Sequence, residues 1–263
     1  MNTPSSKKYV FLHIPKTAGY SLFSLYTQVL GPDNVRNIVD NSIGVHNVTL
    51  LDDFPLIGGH FTYSLINDFF SDRYKITFLR HPVDRFISQY AYAKHNVSSL
   101  PIFRIMLAKE KDLEDYVNYC RSRPNMYDLL NTQTWYLSGN LDPALDKTQR
   151  LELAKKNLAS FDFIGIQEFF SDSINLLCYD CNWPPIYDIP LENKAVKRKA
   201  VTEVDPRFLD QIREMNLLDL ELYEYGLALF RQKKKQLLLE CVRRNYHSVV
   251  SSDSPGEFSW PRG

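Results

Sequence analysis

A chain of 263 residues with 44% hydrophobic and 24% charged side chains is long enough for one sizeable α/β domain, and this ordinary globular composition excludes the disordered and collagen-like classes. Lys and Arg total 31 and so do Asp and Glu, so no net charge draws the chain to nucleic acid or to an acidic membrane surface. The chain holds neither a run of about 20 apolar residues that would span a membrane nor a secretory apolar core, so the sequence as given reads as cytoplasmic unless an N-terminal anchor has been removed.

In chain order, Lys8 to His13 is a short apolar run that ends at Pro15 and predicts a buried strand. Ala18 to Leu30 predicts a helix stopped by Gly31-Pro32. Leu56 to Gly59 is a second brief apolar run, and Tyr74 to Leu79 is a third strand followed by a helix with Pro82 in its first turn. Helices are expected over Asp112–Arg121, Asp128–Leu137 and Leu145–Ala159. A fourth strand is expected over Phe161–Ile166, and a further helix over Glu168–Leu177. A basic connection, Glu192 to Val201, leads to one long helix from about Asp205 to Arg231. Residues 1–245 read as a single domain, and the Ser/Pro/Gly-rich residues 246–263 as a flexible tail. Strands alternating with helices argue for a parallel sheet covered on both faces, with ligands at the carboxyl ends of its strands.

The segment HIPKTAGYS, residues 13–21, joins a strand to a helix start, where unpaired N–H groups and a partial positive charge favour phosphate. Pro15, Lys16, Thr17, Ala18, Gly19, Tyr20 and Ser21 form the expected cradle. Lys16 supplies a full charge, Thr17 and Ser21 hydroxyl donors, and Gly19 room for close backbone approach. The Walker A pattern is absent. A second anion site is expected at the end of the third strand, where Arg80 offers a planar fork for a phosphate and Ser88, two turns along the helix, offers a hydroxyl. A nucleoside triphosphate enzyme carries a metal-binding carboxylate near this point. An arginine there suits a second phosphate on the same ligand instead.

HIPKTAGYS resembles the 5′-phosphosulfate loop of sulfotransferases, and LRHPVDRFISQY, residues 79–90, resembles their 3′-phosphate motif. The nearest resemblance is to the heparan/uronyl 2-O-sulfotransferase-like group and its bacterial relatives, with weaker likeness at Asn131–Gly139, Phe163–Phe170 and Asn216–Tyr223. The resemblance implies a three-layer P-loop-like fold with a central parallel sheet flanked by helices. It implies 3′-phosphoadenosine-5′-phosphosulfate (PAPS) as donor, adenosine 3′,5′-bisphosphate (PAP) as product, no metal requirement, and a hydroxyl acceptor on a glycan or glycoside. That group has Thr or Ser where this chain has Tyr20, so Ser21 or Thr17 would carry the side-chain phosphate contact.

Sulfuryl transfer requires a base for the acceptor hydroxyl and stabilisation of the leaving phosphate. Lys16 is the candidate for the second task. His60, after the Gly58-Gly59 pair, is the candidate base, since an imidazole is largely neutral near pH 7 and the resemblance places a Gly-His base here. His13 reads as a buttress of the loop and His81 as a positioner of Arg80. Lys197 and Arg198 lie in a basic loop that is either simply solvated or closes over the nucleotide, as a late basic loop does in the family. Trp135, Tyr136 and Tyr63 are candidates to stack on a sugar. The Cys178/Cys181 pair lacks the further ligands of a zinc site and ends a helix rather than opening one, so it reads as structural thiols. The alternative function is a P-loop-type small-molecule kinase, which would depend on ATP and Mg²⁺. Oligomeric state is not legible.

Overall fold

The computed structural model describes residues 7–38, 51–95, 112–124, 126, 129–139, 144–186 and 200–250. Among them five strands form one parallel sheet in the order β2-β3-β1-β4-β5. The strands are β1 (Tyr9–Leu12), β2 (Val35–Ile38), β3 (Leu56–Gly59), β4 (Tyr74–Leu79) and β5 (Phe163–Ile166). β1, β3 and β5 are buried at every residue, as expected of strands covered on both faces. The described helices are α1 (Gly19–Leu30), α2 (Tyr63–Phe69), α3 (Pro82–His95), α4 (Leu113–Arg121), α5 (Thr132–Ser138), α6 (Lys147–Leu158), α7 (Phe170–Asp180), α8 (Pro206–Met215) and α9 (Leu217–Val250). This is the expected α/β P-loop-like architecture, a central parallel sheet flanked by helices.

Register is what makes a site possible. Leu12 pairs with Gly59 of β3 on one side and with Thr77 of β4 on the other. His13 and His60 directly follow Leu12 and Gly59, and Arg80 follows the end of β4 at Leu79, so all three emerge at the carboxyl edge of the sheet. Both glycines of β3 are dictated by packing: a Cβ on Gly58 would lie 2.8 Å from Phe23 Cζ, and one on Gly59 2.1 Å from the Ile38 carbonyl oxygen. The main core is built round the sheet, where the Phe11 ring packs edge-on against Phe23, Tyr26 and Phe78. A second, smaller core joins α3, α4 and α8 through Val83, Phe86, Ile87, Tyr116, Val117 and Ile212.

Several elements differ from expectation. β2 and α2 were not predicted: VRNI is a half-exposed edge strand with one buried residue, and α2 is only seven residues long. The single helix expected from Asp205 to Arg231 is two helices broken at Asn216, and α9 continues to Val250, past the expected domain end. The break has a polar cause. Asn216 Nδ2 donates to the Ile212 carbonyl (2.8 Å), and its Oδ1 accepts from Asn131 N (3.0 Å). Asn131 Nδ2 in turn donates to the Met215 carbonyl and its Oδ1 accepts from Asp219 N, so one side chain caps both helix ends. Held in a left-handed conformation (φ 49°), Asn131 delays the start of α5 to Thr132, later than the predicted Asp128. Cys178 and Cys181 are free thiols that burial pushes up to about 11 and about 12, inert as expected of structural cysteines. Residues 251–263 of the expected tail lie outside the described residues.

Candidate active site

The loop between β1 and α1 begins as a tight turn. Thr17 N donates to the Ile14 carbonyl (3.3 Å), Pro15 occupies the second position and Lys16 the third with φ 71°, the arrangement of a type II turn. Ala18 follows with φ 71° and ψ 23°. Two non-glycine residues in left-handed backbone cost roughly 1–2 kcal/mol each, and such strain collects at ligand sites. The first i→i−4 bond of α1 runs from Leu22 N to Ala18 O (3.1 Å), so the amides of Gly19, Tyr20 and Ser21 precede the helical ladder. No side chain caps this end. Amides that precede the helical ladder, a few residues after a lysine, make a fitting seat for a phosphate-type anion.

Two loop residues serve differently than expected. Thr17 commits both its N–H and its Oγ1 (2.8 Å) to the Ile14 carbonyl, so its hydroxyl proton is directed into the turn rather than to an anion. Gly19 is not where the backbone is left-handed. A Cβ there would fall 1.9 Å from His13 Nε2, so its smallness admits the His13 ring. Ser21 is buried at the first turn of α1, whereas Tyr20 is 52% exposed and its hydroxyl pKa is raised, chiefly by Tyr92.

His60 lies against His13, with ring centroids 4.2 Å apart and planes 29° from parallel, and Phe11 stacks near His13 at 5.5 Å. His60 Nδ1 is 2.9 Å from the His13 carbonyl oxygen. A carbonyl only accepts, so Nδ1 carries the hydrogen, and in the neutral ring Nε2 is the basic nitrogen. The His13 imidazole is held well below its usual pKa by burial, with His60 and Lys16 adding to the effect, so it remains neutral beside the candidate base.

Arg80 is carried to the same edge. Its Nη1 donates to the Lys16 carbonyl (3.2 Å), and its guanidinium stands 3.8 Å from Asp84. The expected open fork is thus partly engaged, tying the end of β4 to the strained turn. The Arg80 backbone is clasped by Gln133: Arg80 N donates to Oε1 (3.0 Å), and Nε2 donates to the Arg80 carbonyl (2.9 Å). Behind Gln133 lies the buried Asp219, which accepts from Gln133 N, Thr134 N and Thr134 Oγ1 and stands 4.0 Å from Arg85 Nε. Burial pushes its carboxyl up, although Arg85 and these donors pull the other way. Arg85, fully buried, also donates to the Leu129 carbonyl (2.7 Å) and belongs to this scaffold.

Asp84, Ser88 and Tyr92 share one face of α3 at four-residue spacing, while Val83, Phe86, Ile87 and Tyr90 serve the smaller core. Ser88 is buried on that face, four residues from Tyr92, whose ring lies under Lys16 Nζ at 3.9 Å. His81 does not position Arg80 through its ring. Its N–H donates to Glu168 Oε1 (2.8 Å) and its ring meets Tyr223 edge-on. Tyr63, Trp135 and Tyr136 pack into or against the main core, with the Tyr63 hydroxyl on Ser160 (2.7 Å). Lys197 and Arg198 lie outside the described residues. Sequence reasoning missed Tyr92, Gln133 and Asp219. Extending the Asp84–Ser88 spacing by one turn would have reached Tyr92, whereas Gln133 and Asp219 lie within the two weakly family-like segments Asn131–Gly139 and Asn216–Tyr223, where residue type does not single them out.

Among curated proteins, heparan-sulfate 6-O-sulfotransferase 2 of Danio rerio is 35% identical over 83 residues, 32% of this chain and 17% of its own length. Heparan-sulfate 6-O-sulfotransferase 1 of Mus musculus is 27% identical over 189 residues, covering 62% of this chain and 46% of the relative. The chain spans less than half the length of each of these relatives. Mouse sulfotransferase SULT7A1, crystallised with PAP, aligns over 59% of this chain and 66% of its own at 12% identity and a TM-score of 0.28, too remote a likeness to build on. The model of the sulfotransferase family matches residues 2–226, which take in the Lys16 loop, His60, Arg80 and Asp219 alike, and the chain belongs to that family.

Proposed function

We propose that this chain transfers a sulfuryl group from PAPS to a hydroxyl of a carbohydrate or glycoconjugate. One observation carries the reading: an uncapped helix start bearing Lys16, a histidine of defined tautomer and a buried arginine meet at one sheet edge, with Arg80 Nη1 3.2 Å from the Lys16 carbonyl. Family membership and the heparan-sulfate relatives support sulfuryl transfer and a glycan acceptor.

The donor supplies an electrophilic sulfur bearing a nucleotide leaving group. The amides of Gly19, Tyr20 and Ser21, with Lys16, would hold its 5′ end. Arg80 and Ser88 would hold the 3′-phosphate. His60 Nε2 takes the acceptor proton as the acceptor oxygen bonds to sulfur and the bond from sulfur to the 5′-phosphate oxygen breaks. Lys16 meets the charge that develops on the leaving oxygen.

The test is transfer of labelled sulfate from PAPS to a panel of desulfated glycans, run beside ATP with Mg²⁺. Transfer from PAPS is expected, and His60→Ala should lower turnover by about 10²-fold or more while leaving retention on immobilised PAP intact. Phosphoryl transfer from ATP without sulfuryl transfer would hand the chain to the kinase reading. Near-normal turnover in His60→Ala would remove the base assigned here.

A further inference from the structure

Lys16 hangs a flexible four-carbon arm from a residue in left-handed backbone, and an ammonium on such an arm samples many rotamers when only solvent meets it. Here its Nζ lies 3.9 Å from the centroid of the Tyr92 ring, within the range of a cation–π contact. Tyr92 is half-buried on the face of α3 that also carries Asp84 and Ser88. Its phenol acts on that of Tyr20, whose pKa it raises; Tyr20 is a large aromatic residue left 52% exposed in the first turn of α1. The contact between Lys16 and Tyr92 thus joins the anion loop to the helix that follows Arg80.

The chemistry of the holder matters. A carboxylate at this point would neutralise Lys16 and repel an incoming anion. A ring face attracts the ammonium through its quadrupole, leaves the full positive charge in place, and is weak enough for a multiply charged anion to outbid it. We infer that Tyr92 is a positioning residue for Lys16, aiming its ammonium at the donor's 5′ end without neutralising it. The inference rests on the sulfotransferase reading above and names a control on that site's lysine.

The experiment is a double-mutant cycle on PAPS-dependent transfer, with PAPS affinity measured calorimetrically in the same proteins. Tyr92→Leu should lower kcat/KM roughly 3- to 30-fold, the range of a cation–π contact, at unchanged melting temperature. Tyr92→Phe keeps the ring and should recover activity to within about threefold of wild type. In a Lys16→Ala background, Tyr92→Leu should have no further effect on transfer or on affinity. The inference is overturned if Tyr92→Leu matches wild type, if Tyr92→Phe is as impaired as Tyr92→Leu, or if the Tyr92→Leu loss persists without Lys16. A wild-type protein that transfers nothing from PAPS fails at the parent reading and takes this one with it; the wild-type arm separates that case from failure of the Tyr92 role alone.

Discussion

The Lys16 loop and the Arg80 turn face each other across about one strand spacing and are built in opposite ways. The loop is local. Its turn closes between Ile14 and Thr17, its helix opens between Ala18 and Leu22, and its glycine makes room for a ring six residues earlier. The Arg80 turn is assembled from afar: Gln133, 53 positions on, clasps its backbone, and Asp219, 86 positions beyond Gln133, fixes Gln133. A local cradle can store backbone strain because few residues must agree on it. A distant clasp gains rigidity only once the whole domain is folded.

Removing Asp219 attacks the contrast most directly. Asp219→Ala removes the buried charge opposite Arg85 and the acceptor of two backbone amides and the Thr134 hydroxyl, and should cost on the order of 3–5 kcal/mol in denaturant unfolding. Retention on immobilised PAP should fall with it under conditions where the protein is still folded. Unchanged retention would mean that the Arg80 turn is as self-sufficient as the loop.

The loop's own weakness should appear as acid lability. His13 titrates below its usual value in the folded state, so the unfolded chain binds the extra proton as pH drops below about 6.5. Its contribution is constant above that pH and diminishes below it, by at most about 1.4 kcal/mol per pH unit. His13→Phe should flatten this slope in unfolding measured from pH 7 to 5. An unaltered slope would place the acid sensitivity elsewhere.

The smallest effect concerns the strain itself. Ala18 sits at φ 71°, a conformation in which glycine loses the Cβ penalty, so Ala18→Gly should stabilise the fold by up to about 1 kcal/mol. Destabilisation would show that the alanine methyl contributes more to packing than its backbone costs.

Much of this site could be read directly because its chemistry is contiguous. A strand ending at Leu12, a turn at Pro15-Lys16 and a helix beginning at Gly19 lie within a dozen residues, where turn geometry and helix ends follow from residue type alone. YKITFL and the Pro82 helix start were legible for the same reason, which located Arg80 and Ser88 in the chain. Residue type could not reveal that Thr17 turns its hydroxyl inward, that Gly19 answers to His13, or that one expected helix breaks at Asn216. Each depends on a partner supplied by folding.

What the sequence determined by itself was therefore the pair of candidate anion motifs and the alternation that builds a parallel sheet. The tertiary structure decided how they act together. Placing β1 between β3 and β4 sets His60 on one side of the Lys16 loop and Arg80 on the other, and brings Tyr92 beneath a lysine 76 positions away. Strand order and packing, which arise from burial summed over the whole domain, make those meetings, and no short segment encodes them.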